Sequence, residues 1–207
     1  LLEMALMRSG NDAAVALAIH VGGSVQGFVD MMNRKALDLG LTHSHFTNPH
    51  GLDEDSHHQS ARDVALLTSY ALRNQTFASI VATPEKKVPR EGYQDGYTIQ
   101  NTNQLLRMRA DCVGVKTGWT GKAGMCLVSA VQRHGRRYVA VILGSEDRFG
   151  EANAMFDWVF ETYVERVVVG GGLTVAQAPL RGGEASTVAV AGAETLVAVL
   201  HVEDPLP

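Results

Sequence analysis

The chain has 207 residues, 45% hydrophobic and 19% charged, with a net charge of −4. That is enough to bury a core, and the absence of a basic stripe argues against nucleic acid as a partner. No apolar run approaches the roughly 20 residues of a membrane-spanning helix. Cys112 and Cys126 make no disulfide framework, read as two buried thiols, and leave the compartment open. The chain opens on Leu1, already helix-like and without a signal-peptide layout, and closes at Pro207 just after a strand-like run. The expectation is a piece of a longer protein.

Residues 1–8 read as the end of a helix, interrupted at Ser9-Gly10-Asn11-Asp12. Asn11 or Asp12 is expected to cap the apolar run Ala13 to Ile19. Ser24 to Leu39 is an amphipathic helix with Val25, Phe28, Val29, Met32, Ala36 and Leu39 at helical spacing, closed by Gly40. A polar loop fills 41–60, with Asp53, Glu54 and Asp55 expected in solvent. Ser60 with Asp63 resembles a capping arrangement for a helix to Asn74, and a short helix follows near 76–82.

Strand character then rises at Val88, at Tyr97 to Ile99 and at Cys112 to Thr117. Gly124 to Gln132 and Arg137 to Leu143 flank His134-Gly135 as a hairpin, and Phe149 to Tyr163 is a closing helix. Helices first, then antiparallel strands, then a helix favours an α/β (α+β) fold with helices packed on an antiparallel sheet. Beyond Tyr163, Val-rich runs alternate with Gly-rich turns in the manner of a small all-β module. The expected domains are 1–163 and 164–207, the second cut short.

Two triplets carry the chemistry: Ser9-Gly10-Asn11 between two helices, and Lys116-Thr117-Gly118 at the end of a strand. Singly, each is weak. Together they match two of the three elements S-x-x-K, S-x-N and K-T-G of penicillin-binding proteins and serine β-lactamases. A Ser hydroxyl can relay a proton, and an Asn amide can both donate and accept. A Lys and a Thr on a strand edge can hold a carboxylate, and Gly118 leaves room for a substrate against that edge. A backbone N–H just beyond, that of Trp119, can face a developing oxyanion. His43, His45, His50, His57 and His58 crowd one loop but lack the paired spacing of metal ligands, so neither metal nor cofactor is expected.

The chain resembles the D-alanyl-D-alanine carboxypeptidases among the low-molecular-mass penicillin-binding proteins. The segments that carry the resemblance come in the family's order. They are Ser9-Gly10-Asn11-Asp12-Ala13-Ala14, Phe46 to Leu52, His58 to Asp63, Asn101 to Leu106, and Val113 to Thr120 followed by Lys122-Ala123-Gly124. The match covers about residues 1–160. Val113 stands where the family frequently carries Asp, and Trp119 where some members carry His.

The resemblance implies the penicillin-recognising fold and a serine peptidase that removes the terminal D-alanine from peptidoglycan stem peptides outside the bacterial cytoplasm. Its partners would be those stem peptides and β-lactams, with membrane association only through a C-terminal anchor not in this chain. It implies catalytic roles for Ser9, Asn11 and Lys116 and substrate binding by Thr117, Gly118, Trp119 and Thr120. No S-x-x-K occurs in the chain, so it is not expected to form an acyl-enzyme by itself. The rival readings are a β-lactamase using Glu54 for deacylation and a non-catalytic peptidoglycan-binding relative.

Overall fold

In the computed structural model, which describes residues 1–90, 93–179, 181 and 186–204, the first part of the chain is helical and the later part stranded. The helices α1 (Leu2–Arg8), α2 (Asn11–Gly22), α3 (Val25–Asp38), α4 (Ala61–Ala71) and α5 (Gln75–Val81) come first. Three begin at side-chain caps that satisfy otherwise orphaned backbone donors. Ser24 Oγ accepts from Gly27 N–H at 2.9 Å, Ser60 Oγ from Asp63 N–H at 3.1 Å, and Asn74 Oδ1 from Phe77 N–H at 3.0 Å. The cap of α2 differs from the expectation. Gly10, with φ −68° and ψ 107°, is the N-cap, and Asn11 and Asp12 already lie in the first turn. Gly10 reaches that position because its N–H closes the end of α1 on the Met4 carbonyl at 3.0 Å.

The antiparallel pair β1 (Glu85–Arg90) and β2 (Tyr93–Gln100) leads through α6 (Leu105–Met108) to a three-stranded sheet ordered β3-β4-β5. These strands are Cys112–Thr120, Gly124–Arg133 and Arg136–Ile142, all antiparallel. His134 and Gly135, with φ of 49° and 78°, make the two-residue turn of the expected hairpin, a geometry that needs positive φ at both positions. Along the central strand, Leu127, Ser129 and Val131 on one face and Ala130 on the other are all buried. A strand buried on alternating sides is covered on both faces, as the sequence order implied.

Leu72, Val81, Val115 and Ala130 form the core between α4, α5 and the sheet, joined by Leu6, Phe77 and Val139. A second cluster, Ala36, Leu41 and Phe46, seats α3 against the following loop. The closing helix α7 (Arg148–Thr162) is tied to the start of β3 by buried Arg109. That guanidinium pairs with Asp111 at 3.0 Å, donates to Asn153 Oδ1 at 2.9 Å and lies over the Phe156 ring.

The chain divides into two compact units, Leu1–Phe156 and Asp157–Pro207, and the division falls within α7. The second unit contains β6 (Tyr163–Val169) paired with β9 (Leu196–His201), and β7 (Thr174–Pro179) paired with β8 (Thr187–Ala191). Positions 205–207, the end of the expected second domain, lie outside the described residues. Cys112 and Cys126 are free thiols, but both are half-buried and not enclosed as expected, because each sits near an end of its strand. Among the described residues no single helix is long and apolar enough to cross a membrane.

Gly114 is where α5 meets β3. Its φ is +137°, and a Cβ there would lie 2.9 Å from Val81 Cγ2. Gly114→Ala therefore combines a disfavoured backbone with overpacking. It is expected to cost about 2–3 kcal/mol in urea unfolding, where an ordinary strand glycine gains or loses under about 1 kcal/mol.

Candidate active site

The two triplets meet although they are separated by most of the unit. Ser9 ends α1 in the left-handed conformation, φ 59° and ψ 40°, a geometry that glycine usually supplies. From that turn its hydroxyl accepts a hydrogen bond from Lys116 Nζ on β3. Lys116 also donates to the Thr117 carbonyl at 2.8 Å. The lysine is half-buried, and its pKa falls to about 8, first through loss of solvation and then through the like charge of Arg148.

β3 is an edge strand among the described residues. Its main-chain orientation follows from the register. Trp119 is opposite Met125 on β4, and the Met125 carbonyl accepts from Ser145 N–H, on the β5 side. The Trp119–Met125 pair is therefore the kind without mutual hydrogen bonds, and Trp119 directs its N–H and C=O to the free edge. The Thr117 carbonyl, two residues earlier, faces the same way toward Lys116 Nζ. The Trp119 side chain is 70% exposed, which makes it a rim residue and not a packing one.

These groups line a cleft of about 1030 Å³. Ser9, Asn11, Lys116, Thr117, Gly118, Trp119 and Thr120, the seven residues singled out in the sequence, all line it. Asn11 is exposed at the start of α2. Gly118 is not demanded by the fold, because an added Cβ would meet nothing nearer than Cys126 Cβ at 3.8 Å. The space it leaves belongs to the cleft. The Thr120 hydroxyl accepts from Ala123 N–H at 3.0 Å and is hydrogen-bonded to Asp53, so it secures the β3–β4 turn.

Three residues were not foreseen as part of the site. Arg148, the first residue of α7, donates to the Gly118 carbonyl at 2.9 Å and the Cys126 carbonyl at 3.1 Å, and adds its charge to a cleft wall that also carries Arg8, Lys116 and Lys122. Thr102 reaches Thr117, hydroxyl to hydroxyl, at 2.6 Å. Asp53, exposed as expected, bonds the Thr120 hydroxyl and accepts from Lys122 N–H at 3.1 Å, which hold its carboxyl below the ordinary value. The Asn101-Thr102-Asn103 pattern marked the neighbourhood of Thr102; no local pattern marked Arg148.

The histidines are spent on the loop that borders the cleft. His45 and His58 form a backbone bridge with stacked rings, and both Nδ1 atoms contact the Ser56 carbonyl. His57 Nδ1 accepts from Thr47 N–H at 3.2 Å. Buried Asp63 fastens the loop to α4 by accepting from His43 N–H at 2.8 Å and Ser44 Oγ at 2.9 Å. Glu54 is exposed on the cleft border.

A family model described as D-alanyl-D-alanine carboxypeptidase matches residues 1–147. The chain is similar to D-alanyl-D-alanine carboxypeptidase DacF of Bacillus subtilis, 34% identical over 187 residues, covering 89% of this chain and 48% of that protein. It is also similar in structure to PBP3, a peptidoglycan synthesis regulatory factor from Streptococcus pneumoniae. There the TM-score is 0.78 at 27% identity, over 98% of this chain and 62% of that one. Penicillin-binding protein D2 from Listeria monocytogenes, solved with cefotaxime bound, matches with a TM-score of 0.68 at 28% identity, over 76% of this chain and 64% of that one. The chain spans about half the length of the curated relatives it matches.

The left-handed Ser9 separates backbone strain from hydroxyl chemistry. Ser9→Gly and Ser9→Ala both remove the hydroxyl, but only glycine relieves the backbone. The glycine variant is expected to be more stable than the alanine variant by about 1 kcal/mol in thermal unfolding.

Proposed function

The chain belongs to the D-alanyl-D-alanine carboxypeptidase family, and on that premise we propose that it supplies the proton-relay and carboxylate-binding half of a serine carboxypeptidase acting on peptidoglycan stem peptides. The observation that carries this reading is the convergence of Ser9, Lys116 and Thr117 on one cleft beside a free strand edge. A peptide laid along β3 meets outward main-chain groups from Thr117 and Trp119, and its terminal carboxylate meets Lys116, Arg148 and the Thr117 hydroxyl. The Trp119 N–H is then positioned to stabilise the oxyanion of a tetrahedral intermediate.

No S-x-x-K occurs in the 207 residues, so the acylating serine and its lysine base are supplied from outside them. In the proposed step that serine oxygen bonds to the carbonyl carbon of the penultimate D-alanine. The C–N bond breaks, and Ser9, assisted by Asn11 and Lys116, delivers a proton to the departing D-alanine amine. Water then hydrolyses the ester. Thr120 serves this arrangement through the β3–β4 turn. The reading places the protein outside the bacterial cytoplasm, where its substrate is, with β-lactams as inhibitors that imitate the acyl donor. The matched relatives favour neither a β-lactamase acting through Glu54 nor a non-catalytic binding protein.

Two outcomes test the reading. Fluorescent penicillin is expected to label the full-length protein covalently and to leave the 207-residue chain unlabelled; a covalent adduct on the shorter chain would contradict the assignment of the nucleophile. The second outcome concerns pH. Lys116 is a cation below its pKa of about 8 and neutral above it, so affinity for a carboxylate-terminated peptide should fall as pH rises through about 8. Stability moves the other way. Because the folded value is below the ordinary 10.5, the unfolded chain binds more protons between about 8 and 10.5, and this residue's contribution to stability increases with pH across that window.

A further inference from the structure

Thr102 lies between two buried asparagines. Asn101 is buried, donates to the carbonyls of Val81 at 3.3 Å and Thr83 at 3.1 Å, and accepts from Asn103 N–H at 2.9 Å. Asn103 is fully buried and accepts from Leu105 N–H at 3.2 Å. The residue between them lines the cleft. Its N–H donates to the Met7 carbonyl at 3.0 Å, two residues before Ser9, and its hydroxyl contacts that of Thr117 at 2.6 Å. Thr102 thus joins the end of α1 to β3 at the level of both triplets.

We propose that Thr102 is a positioning residue that supports the Thr117 hydroxyl as donor to a ligand ending in a free carboxylate, by itself donating to Thr117 Oγ1 when that ligand is bound. A hydroxyl has one proton to give. Thr117 can spend it on Thr102 or on a ligand, and the geometry of the empty pair permits either. A carboxylate only accepts. Once it enters the cleft, Thr117 must donate to it, and the short contact persists only with Thr102 as donor to Thr117 Oγ1. The result is a one-way chain, Thr102 to Thr117 to carboxylate, in which each hydroxyl is satisfied. A terminal primary amide can turn either its oxygen or its NH2 toward Thr117, and so does not depend on this polarity. The two buried asparagines keep the loop in place, so the side chain at position 102 can be changed without moving its anchors. The inference rests on the proposed function for the identity of the ligand.

The test uses the full-length protein and a hydroxyethylene isostere of acetyl-D-Ala-D-Ala, which has no scissile amide, as its free acid and its primary amide. In calorimetric titrations Thr102→Val should weaken the free acid about 5- to 10-fold and leave the amide within about twofold, while Thr102→Ser restores acid binding. Thr102→Ala should show the same acid-selective loss, which covers the case of a misfolded valine variant. Unchanged acid binding in the valine and alanine variants, or equal loss for acid and amide, overturns the proposal. If the wild-type protein binds the acid but releases no D-alanine from diacetyl-L-Lys-D-Ala-D-Ala, the carboxypeptidase reading fails and the role of Thr102 stands. A wild-type protein that does not bind the acid overturns both.

Discussion

The hydrogen bond from Lys116 Nζ to the Ser9 hydroxyl joins positions 107 residues apart and requires three things of the fold at once. The helix before Ser9 has to stop in a left-handed turn, so that the hydroxyl faces the sheet and does not continue around the helix. The strand carrying Lys116 has to be at an edge, so that the lysine can reach across without displacing a neighbour. The lysine has to be half-buried, which lowers its pKa to about 8 and makes its charge sensitive to what occupies the cleft. Of these, the left-handed Ser9 costs backbone strain that a purely structural segment would avoid.

The surroundings of that contact distribute the cost. Asn101 and Asn103 bury their amides to hold one loop, and Asp63 accepts two hydrogen bonds to hold another. Asp53 reaches from the second loop to the β3–β4 turn and ties the rim to the strand edge. Arg109 fixes α7 through Asn153 and Phe156, and α7 in turn presents Arg148 to the carbonyls beside Gly118. Burial, and then the like charge of Arg148, lower the proton affinity of Lys116 in the cleft.

Much of the fold was legible because its signals are short-ranged. Ser24 and Ser60 cap the helices that their positions indicated, and His134-Gly135 turns the hairpin that flanking Val-rich runs required. The ordered motifs, through the family they resemble, also pointed to seven residues that line the cleft, although each triplet by itself is an ordinary turn or strand end. Other features were decided by distant partners. Gly10 displaced Asn11 and Asp12 as the cap of α2 because the closing bond of α1 fell on it. Asp53 is exposed, as its loop indicated, but folding brings the Lys122 N–H beside it. Arg148 and Thr102 acquired roles only through contacts 22 and 15 residues away, which no spacing rule encodes.

The central claim is that Lys116 is held as a desolvated cation against Ser9 and beside Arg148, poised to lose its proton close to neutral pH. A lysine-selective carbon-13 NMR titration, with Lys116→Arg used to assign the resonance, reads this directly. The account requires the Cε signal to titrate near pH 8, in keeping with the value of about 8 set by burial and Arg148. Titration at the ordinary lysine value of 10.5 would show that the ammonium is solvated, and the arrangement of the cleft described above would be wrong.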